Sequence, residues 1–567
     1  MKEKRKLKIG RVIIALIVLA LIVSLSWFLI TKFFFKEKIK LESRFLASSS
    51  FVVKLYDEEG IEKKEVARGK KVNYHLDKFI LVGEEKLHKI FIDDEIYYIK
   101  DENMVTTEEE IVKESEVFVR TSLSIYESDS STHLLGLAKK NEKLDIVGYN
   151  KLNNDGTVDM YKIKQGEIVG YIYPKYIVYT REEAALQYDP EKYYEVHEKR
   201  GNSYGGGSAG NLDYYPVNKP KFEDNVMPDA VYALYLNGGS DVIGNIDNYI
   251  AFAKTTKINS FVVDIKDNEA SAYKSSVMEK YSPTNYEKGI NSFEDYKNAI
   301  KKLKDEGFYV IGRITVFKDK FYANDHPENT IMDTRTNKPF LYTNTYWPSA
   351  FNRDVWEFNV ELAKEAVSEM GFNEIQFDYV RFPDRTSSYE KAGTMDFKNT
   401  YGEDKAEAIQ RFLMYATDEL HKLNVYVSAD VFGESAHTYV TAYGQYWAAI
   451  SNVVDVISAM PYPDHFGNNE YGFTTPPYKK PYEIMNHWGK NYAAKRQEEC
   501  PTPAVVRTWI QAYDALPGDF PYNAKEVESE IRGLFDAGLT GGYMTWNSGS
   551  NLNKYKIQAA AYQKEYK

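Results

Sequence analysis

The chain of 567 residues has one cysteine, Cys500, so no intramolecular disulfide can form and its domains are held together by packing. That excludes a disulfide-dense secreted module and is compatible with a bacterial cell surface. Positive charge is in deficit: 72 Lys and Arg face 83 Asp and Glu, a net charge of −11, with the acidic residues spread throughout. Such a balance offers no basic footprint, and nucleic acid is excluded as a partner. Also absent are an H-E-x-x-H zinc helix, a Walker phosphate loop and a G-x-S-x-G nucleophile elbow. The nine histidines show no ligand spacing in the strand-like runs, so neither a metal nor a cofactor is expected.

One long hydrophobic run is present. Val12 to Ile30 is broken only by Ser24 and Ser26 and is long enough for a bilayer core. Lys2, Lys4, Arg5, Lys6, Lys8 and Arg11 precede it, so the positive-inside rule places the N-terminus in the cytoplasm and the bulk of the chain outside the cell. A cleaved signal peptide fits less well, because the run exceeds the usual h-region and no A-x-A site follows. No cysteine follows the run directly, which excludes a lipoprotein anchor. Residues 1–36 are therefore expected to form a basic stub and a single-pass transmembrane helix, a localisation at the cell membrane.

Between the run and residue 180 the pattern is short alternating strands with turn signals, the mark of small all-β modules. "KLYDEEGIEKKEVARGKKV" (54–72) and "LHKIFIDDEIYYIKDENMV" (87–105) align with "SIYESDSSTHLLGLAKKNEKL" (124–144) and "MYKIKQGEIVGYIYPKYIV" (160–178), a tandem repeat. The second copy, 115–180, resembles the bacterial SH3 domain in "LSIY", "LAKKNEKLDIVGY" and "YKIKQGEIVGYIYPKYI"; the first, 44–110, resembles it more faintly. Such modules would hold the protein to the cell wall. The following stretch, 181–228, contains Gly205, Gly206 and Gly207 without an apolar period and is expected as a flexible linker.

From residue 229 to the C-terminus apolar strand-like runs alternate with amphipathic helical stretches. Eight such pairs start with "VYALYLNG", "SFVVDIKD", "YVIGRITVF", "EIQFDYVRFP", "VYVSADVFG", "VDVISAMPYP", "AVVRTWIQAY" and "GGYMTWN". Gly307, Gly371 and Gly538 stand where helix C-caps belong. Eight βα units predict an α/β fold, a TIM (β/α)8 barrel over 229–567. A doubly wound open sheet is the alternative, but no G-x-G-x-x-G follows the first strand.

In such a barrel the active site lies at the C-terminal strand ends, and the polar residues cluster there. Strand two ends in Asp264, Lys266 and Asp267; strand three carries Arg313; strand four ends in Asp378, Tyr379 and Arg381. Strand five ends in Asp430 with Glu434 beyond it, strand six leads to Tyr462 and Asp464, strand seven carries Gln511 and strand eight ends in Trp546 and Asn547. Asp378 and Asp430 on neighbouring strands would face each other, and a carboxylate pair beside arginine and aromatic rings is equipment for glycoside hydrolysis. Asp378, Asp430 and Glu434 are the candidate catalytic groups. Asp264, Lys266, Arg313, Tyr379, Arg381, Tyr462, Asp464, Gln511 and Trp546 are the candidate substrate contacts, while a strand-end Asp264 paired with Lys266 would equally be structural. Aromatics make up 15% of the chain, 47 of them tyrosine, and exposed rings stack on sugars, although genomic base composition produces the same bias.

With "FVVDIKDNE", "IGRITVFKD", "NEIQFDYVRFP", "VSADVFG", "DVISAMPYP", "WIQAY" and "TWNSGS" in this order, residues 229–560 resemble the bacterial "putative glycoside hydrolase domain" family of membrane-anchored or secreted proteins. The resemblance implies a TIM barrel related to α-amylase and α-galactosidase enzymes, in which the strand-four Asp, here Asp378, is the nucleophile. In amylase-like barrels the acid is a Glu ending strand five, where this chain has Asp430 and then Glu434; in α-galactosidase-like barrels it is a strand-six Asp, nearest to Asp464. The sequence thus predicts a membrane-anchored extracellular glycosidase acting on a cell-surface or exported polysaccharide. A non-catalytic carbohydrate-binding barrel and a cell-wall scaffold are the alternatives.

Overall fold

The computed structural model describes residues 9–34, 41–190, 192–200, 204–516 and 520–566. The chain groups into two compact units, 1–117 with 145–164, and 118–144 with 165–567. Ile9–Phe34 is helical, and its side chains from Val12 to Phe28 are exposed. Among the described residues no helix is long and apolar enough to cross a membrane. The run expected to span, Val12 to Ile30, extends past the last described side chain of this helix, and most of its basic flank lies outside the described residues.

Two seven-stranded antiparallel sheets follow, the first from Leu41–Leu46 to Met104–Val105 and the second from Glu116–Val119 to Ile177–Val178. Numbered from its own N-terminus, each sheet has the strand order 3-2-6-5-4-1-7, so the sequence repeat is a repeat of topology. Period-two burial drives the first: Val53 and Leu55 point inward from Val52–Tyr56 and join Leu46, Ile90 and Ile99 in its core.

Of the glycines at 205–207, expected to confer flexibility, Gly206 and Gly207 allow close approach. A Cβ on Gly206 would stand 1.8 Å from the Thr441 carbonyl oxygen, and one on Gly207, whose φ is 120°, would stand 2.6 Å from Asp404 Cβ. Just upstream, Arg200 donates two hydrogen bonds to Glu499, and buried His197 bonds the Tyr446 hydroxyl at 2.7 Å.

The C-terminal region is a nearly closed barrel of parallel strands: β1 (Val231–Leu236), β2 (Ser260–Lys266), β3 (Tyr309–Thr315), β4 (Glu374–Asp378), β5 (Tyr426–Phe432), β6 (Val456–Met460), β7 (Thr508–Gln511) and β8 (Gly542–Trp546). Each pairs with its sequence neighbour through β6, and β8 pairs with β1. A ninth segment, Val505–Val506, pairs with β6, whereas β7 pairs with β8. The two segments share one strand position, divided at Arg507. The strands are buried on both faces because helices cover the outside, which is why they read as apolar runs rather than alternating ones. Val262, Ile311, Met544, Tyr309 and Tyr426 fill the interior. Gly307, Gly371 and Gly538 end their helices at φ of 83°, 75° and 84°, the left-handed backbone expected of them.

Candidate active site

β2, β3 and β4 lie side by side, with Asp264 opposite Arg313 and Arg313 opposite Gln376. Arg313, only 1% exposed, serves both neighbouring strands. Its Nη1 donates to Asp264 Oδ1 at 2.7 Å and, more weakly, to Asp267 at 3.4 Å. Its Nη2 and Nε donate to Asp378 Oδ2 at 2.6 and 3.1 Å. The other Asp378 oxygen accepts the backbone N–H of Tyr379 at 2.5 Å. Tyr379 has φ of 51°, a left-handed conformation that bulky residues adopt at a cost and that clusters at functional sites. The charge at the end of β4 is therefore balanced by the neighbouring strand β3. Arg381 bonds Asp384 and the Phe382 carbonyl, and its guanidinium sits 4.4 Å from the Phe432 ring centroid and 5.1 Å from those of Trp347 and Tyr379.

On β5, in register with β4 through Phe377 and Ala429, Asp430 is 1% exposed. The Trp509 indole N–H donates to its Oδ1 at 2.8 Å, and its Oδ2 is buried without a hydrogen-bond partner among the described residues. Burial pushes the Asp430 carboxyl well above the ordinary range, the nearby Asp378 charge adds to the rise, and Arg313 opposes it. Asp264, which also accepts the Tyr235 hydroxyl at 2.5 Å, is raised by burial to about 6, with Arg313 again opposing. One guanidinium thus stands among four carboxylates, of which Asp264 and Asp430 are raised by burial, an arrangement suited to keeping a protonated acid in the site.

Arg313 and three of these carboxylates border a cavity of about 450 Å³. Asp264, Asp267, Arg313, Asp378 and Arg381 supply its charge, and Tyr235, Tyr379, Phe432, Tyr462, Trp509 and Trp546 its rings. Trp546 packs 4.5 Å from Tyr235 and stands nearly perpendicular to Trp509 at 5.6 Å. Asp430 is outside this lining, attached to the Trp509 indole.

The remaining expected residues lie elsewhere. A register shift between Asp264 and Lys266 sets Lys266 opposite Ile314 rather than in the inward row, and its ammonium pairs with buried Asp319 at 2.7 Å. Lys266 is thus neither the partner of Asp264 nor part of the lining. Glu434 accepts the hydroxyls of Tyr439 and Tyr443 at 3.1 and 2.8 Å, away from the cavity. Asp464, although burial would raise it, is held below the ordinary range by bonds from His465, the Leu516 N–H and Tyr513. Gln511 accepts the Asp464 N–H and donates to the Tyr513 carbonyl, fixing that loop. Tyr235, Trp509, Phe432 and His465 line the cavity and were not among the expected contacts. The inward spacing of Arg507, Trp509 and Gln511 was the available signal for Trp509.

A family described as "Putative glycosyl hydrolase domain" matches residues 233–553, more than half of the chain. No curated protein sequence matches. Among solved structures, a hypothetical protein from Ruminiclostridium thermocellum ATCC 27405 is 33% identical over 35% of this chain and 97% of its own, with a TM-score of 0.29. The glycoside hydrolase domain of PgaB (BpsB) from Bordetella bronchiseptica is 14% identical over 59% of this chain and 97% of its own, with a TM-score of 0.43. A maltogenic α-amylase, AmyB, from Thermotoga neapolitana is 10% identical over 60% and 70%, with a TM-score of 0.36.

Proposed function

The chain belongs to the putative glycosyl hydrolase domain family, and on that premise we propose that its barrel hydrolyses glycosidic bonds in a glycan bound at the strand ends. The reading rests on one observation: Asp378 is held by Arg313 at the cavity wall while Asp430, on the next strand, is driven toward its protonated form. Asp378 is the ionised carboxylate that attacks the anomeric carbon or activates water, and Asp430 is the proton-bearing partner. Trp546 and Tyr462 provide faces on which a sugar ring stacks. The apolar N-terminal helix would anchor the protein in the cell membrane with its bulk outside, and the all-β modules would tie it to the cell wall.

The test is initial-rate release of reducing ends from soluble starch, hydroxyethyl cellulose and glycol chitin by the wild type and by Asp378→Asn. Hydrolysis by the wild type that Asp378→Asn loses, with thermal unfolding retained, supports the reading. Hydrolysis undiminished in Asp378→Asn overturns it. A non-catalytic glycan-binding barrel is the rival, and the absence of Asp430 from the cavity lining favours it. That rival prevails if these polymers bind and are not cleaved.

A further inference from the structure

Beyond the cavity, the loops after β5 and β6 carry rings that the chemistry at Asp378 does not use. His465, on the lining, stands 5.3 Å from Tyr462, and its neighbour Phe466 packs 5.7 Å from Tyr471. Tyr471 stacks on His437 at 6.1 Å, His437 lies 5.5 Å from Tyr439, and Tyr439 lies 4.7 Å from Tyr204. The ring contacts run from Phe466, next in sequence to the lining residue His465, to Tyr204, which is 53% exposed. The row is also held in place: His437 Nε2 bonds the Tyr471 hydroxyl at 3.1 Å, and Glu434 anchors Tyr439. Tyr471 holds φ of 51°, a left-handed backbone that a residue with a side chain adopts at a cost.

We propose that this aromatic row is an extended binding track for an uncharged polysaccharide, which makes the barrel an enzyme that engages its polymer along the chain rather than at one end. The inference rests on the glycan reading of the cavity and adds the class of substrate. His437, Tyr439, Phe466 and Tyr471 are half-buried and Tyr204 is exposed, and aromatic rings suit the apolar faces of pyranoses, carrying affinity without demanding charge. The charge near the row selects against an anionic polymer. Glu434 and Glu470 stand among the rings, and among the described residues neither is ion-paired, so a uronate chain would meet unneutralised carboxylates.

Affinity gel electrophoresis of the full chain tests this, in gels containing hydroxyethyl cellulose, soluble starch, glycol chitin or the anionic polymer alginate. The wild type and Asp378→Asn are expected to be retarded in at least one uncharged gel and not in alginate. Tyr439→Ala with Tyr471→Ala is expected to weaken that retardation about tenfold, and Tyr204→Ala, an exposed change that leaves the fold intact, to weaken it severalfold. Retardation in no uncharged gel, retardation only in alginate, or retardation unaltered by both Tyr204→Ala and the double change overturns the proposal. The two readings fail separately: turnover that survives Asp378→Asn removes the catalytic assignment, whereas the track stands or falls on gel retardation alone.

Discussion

The two ends of the barrel interior are built from the same residue types and behave differently. At the N-terminal end Arg507 and Glu374, both 0% exposed on their side chains, pair at 2.8 Å, and the Tyr309 hydroxyl donates to Glu374 at 3.0 Å. One cation meets one anion, and the packed interior closes over them. At the C-terminal end Arg313 meets Asp264, Asp267 and Asp378, with Asp430 close by, and an open cavity lies against them. The lesson is one of balance. A buried pair that balances is architecture, whereas at the other end burial, which Arg313 only partly opposes, raises the proton affinity of Asp264 and Asp430. These raised acids and the open cavity are why the second end is the one proposed to react.

Changes at either end separate the two roles. The largest effect is expected from Asp378→Asn, which should lower turnover by on the order of 10²–10⁴-fold, read as initial rates on whichever polymer the wild type cleaves. Its unfolding midpoint should move far less than its rate. Equal loss of both would assign Asp378 to architecture as well.

Next comes Arg507→Met, which strands Glu374 as an unpaired buried charge and should cost about 3–5 kcal/mol in urea unfolding. The double change Arg507→Met with Glu374→Leu should recover most of that loss, because replacing both members of a buried pair removes the desolvation penalty. A double variant as unstable as the single would show that the pair does more than balance itself.

Asp430→Asn should fall between the two behaviours. An asparagine resembles the protonated acid in shape and charge, so stability should stay within about 1 kcal/mol, while turnover drops because the amide has no acid proton to give. A large loss of stability would mean that Asp430 is ionised in the folded protein.

The smallest effect concerns pH. The folded Asp264 titrates near 6, above its ordinary value of 3.8, so the folded protein holds this proton more tightly than the unfolded chain does. The stability it contributes is complete below the ordinary value and is lost as pH rises through about 6. Asp264→Asn should flatten that part of the unfolding curve between pH 4 and 6. An unchanged slope would show that other groups carry the pH dependence.

Much of the barrel was legible from local pattern. Apolar runs bounded by turn residues and followed by amphipathic helices gave all eight strand positions, and Asp378 was visible as a charge ending a buried run. The topological repeat of the two sheets was legible for the same reason, since turn spacing and alternation are local. The break at Arg507 was not: a single run "AVVRTWIQAY" hides that its halves pair with different neighbours. Nor were the uses of Gly206 and Gly207, because a glycine needed for close approach looks in sequence like one that confers flexibility.

By itself, then, the sequence determined which residues stand at strand ends, because side-chain alternation and helix periodicity are written into neighbouring residues. Tertiary structure alone decided which of those residues meet. Arg313 rather than Arg381 became the partner of Asp378, a bulge turned Lys266 toward Asp319, and Trp509 sealed Asp430 from solvent. Partner choice depends on how strands distant in sequence pair side by side and face one another, and proton affinity depends on how far water is excluded. Neither quantity exists until the strands have assembled into the barrel.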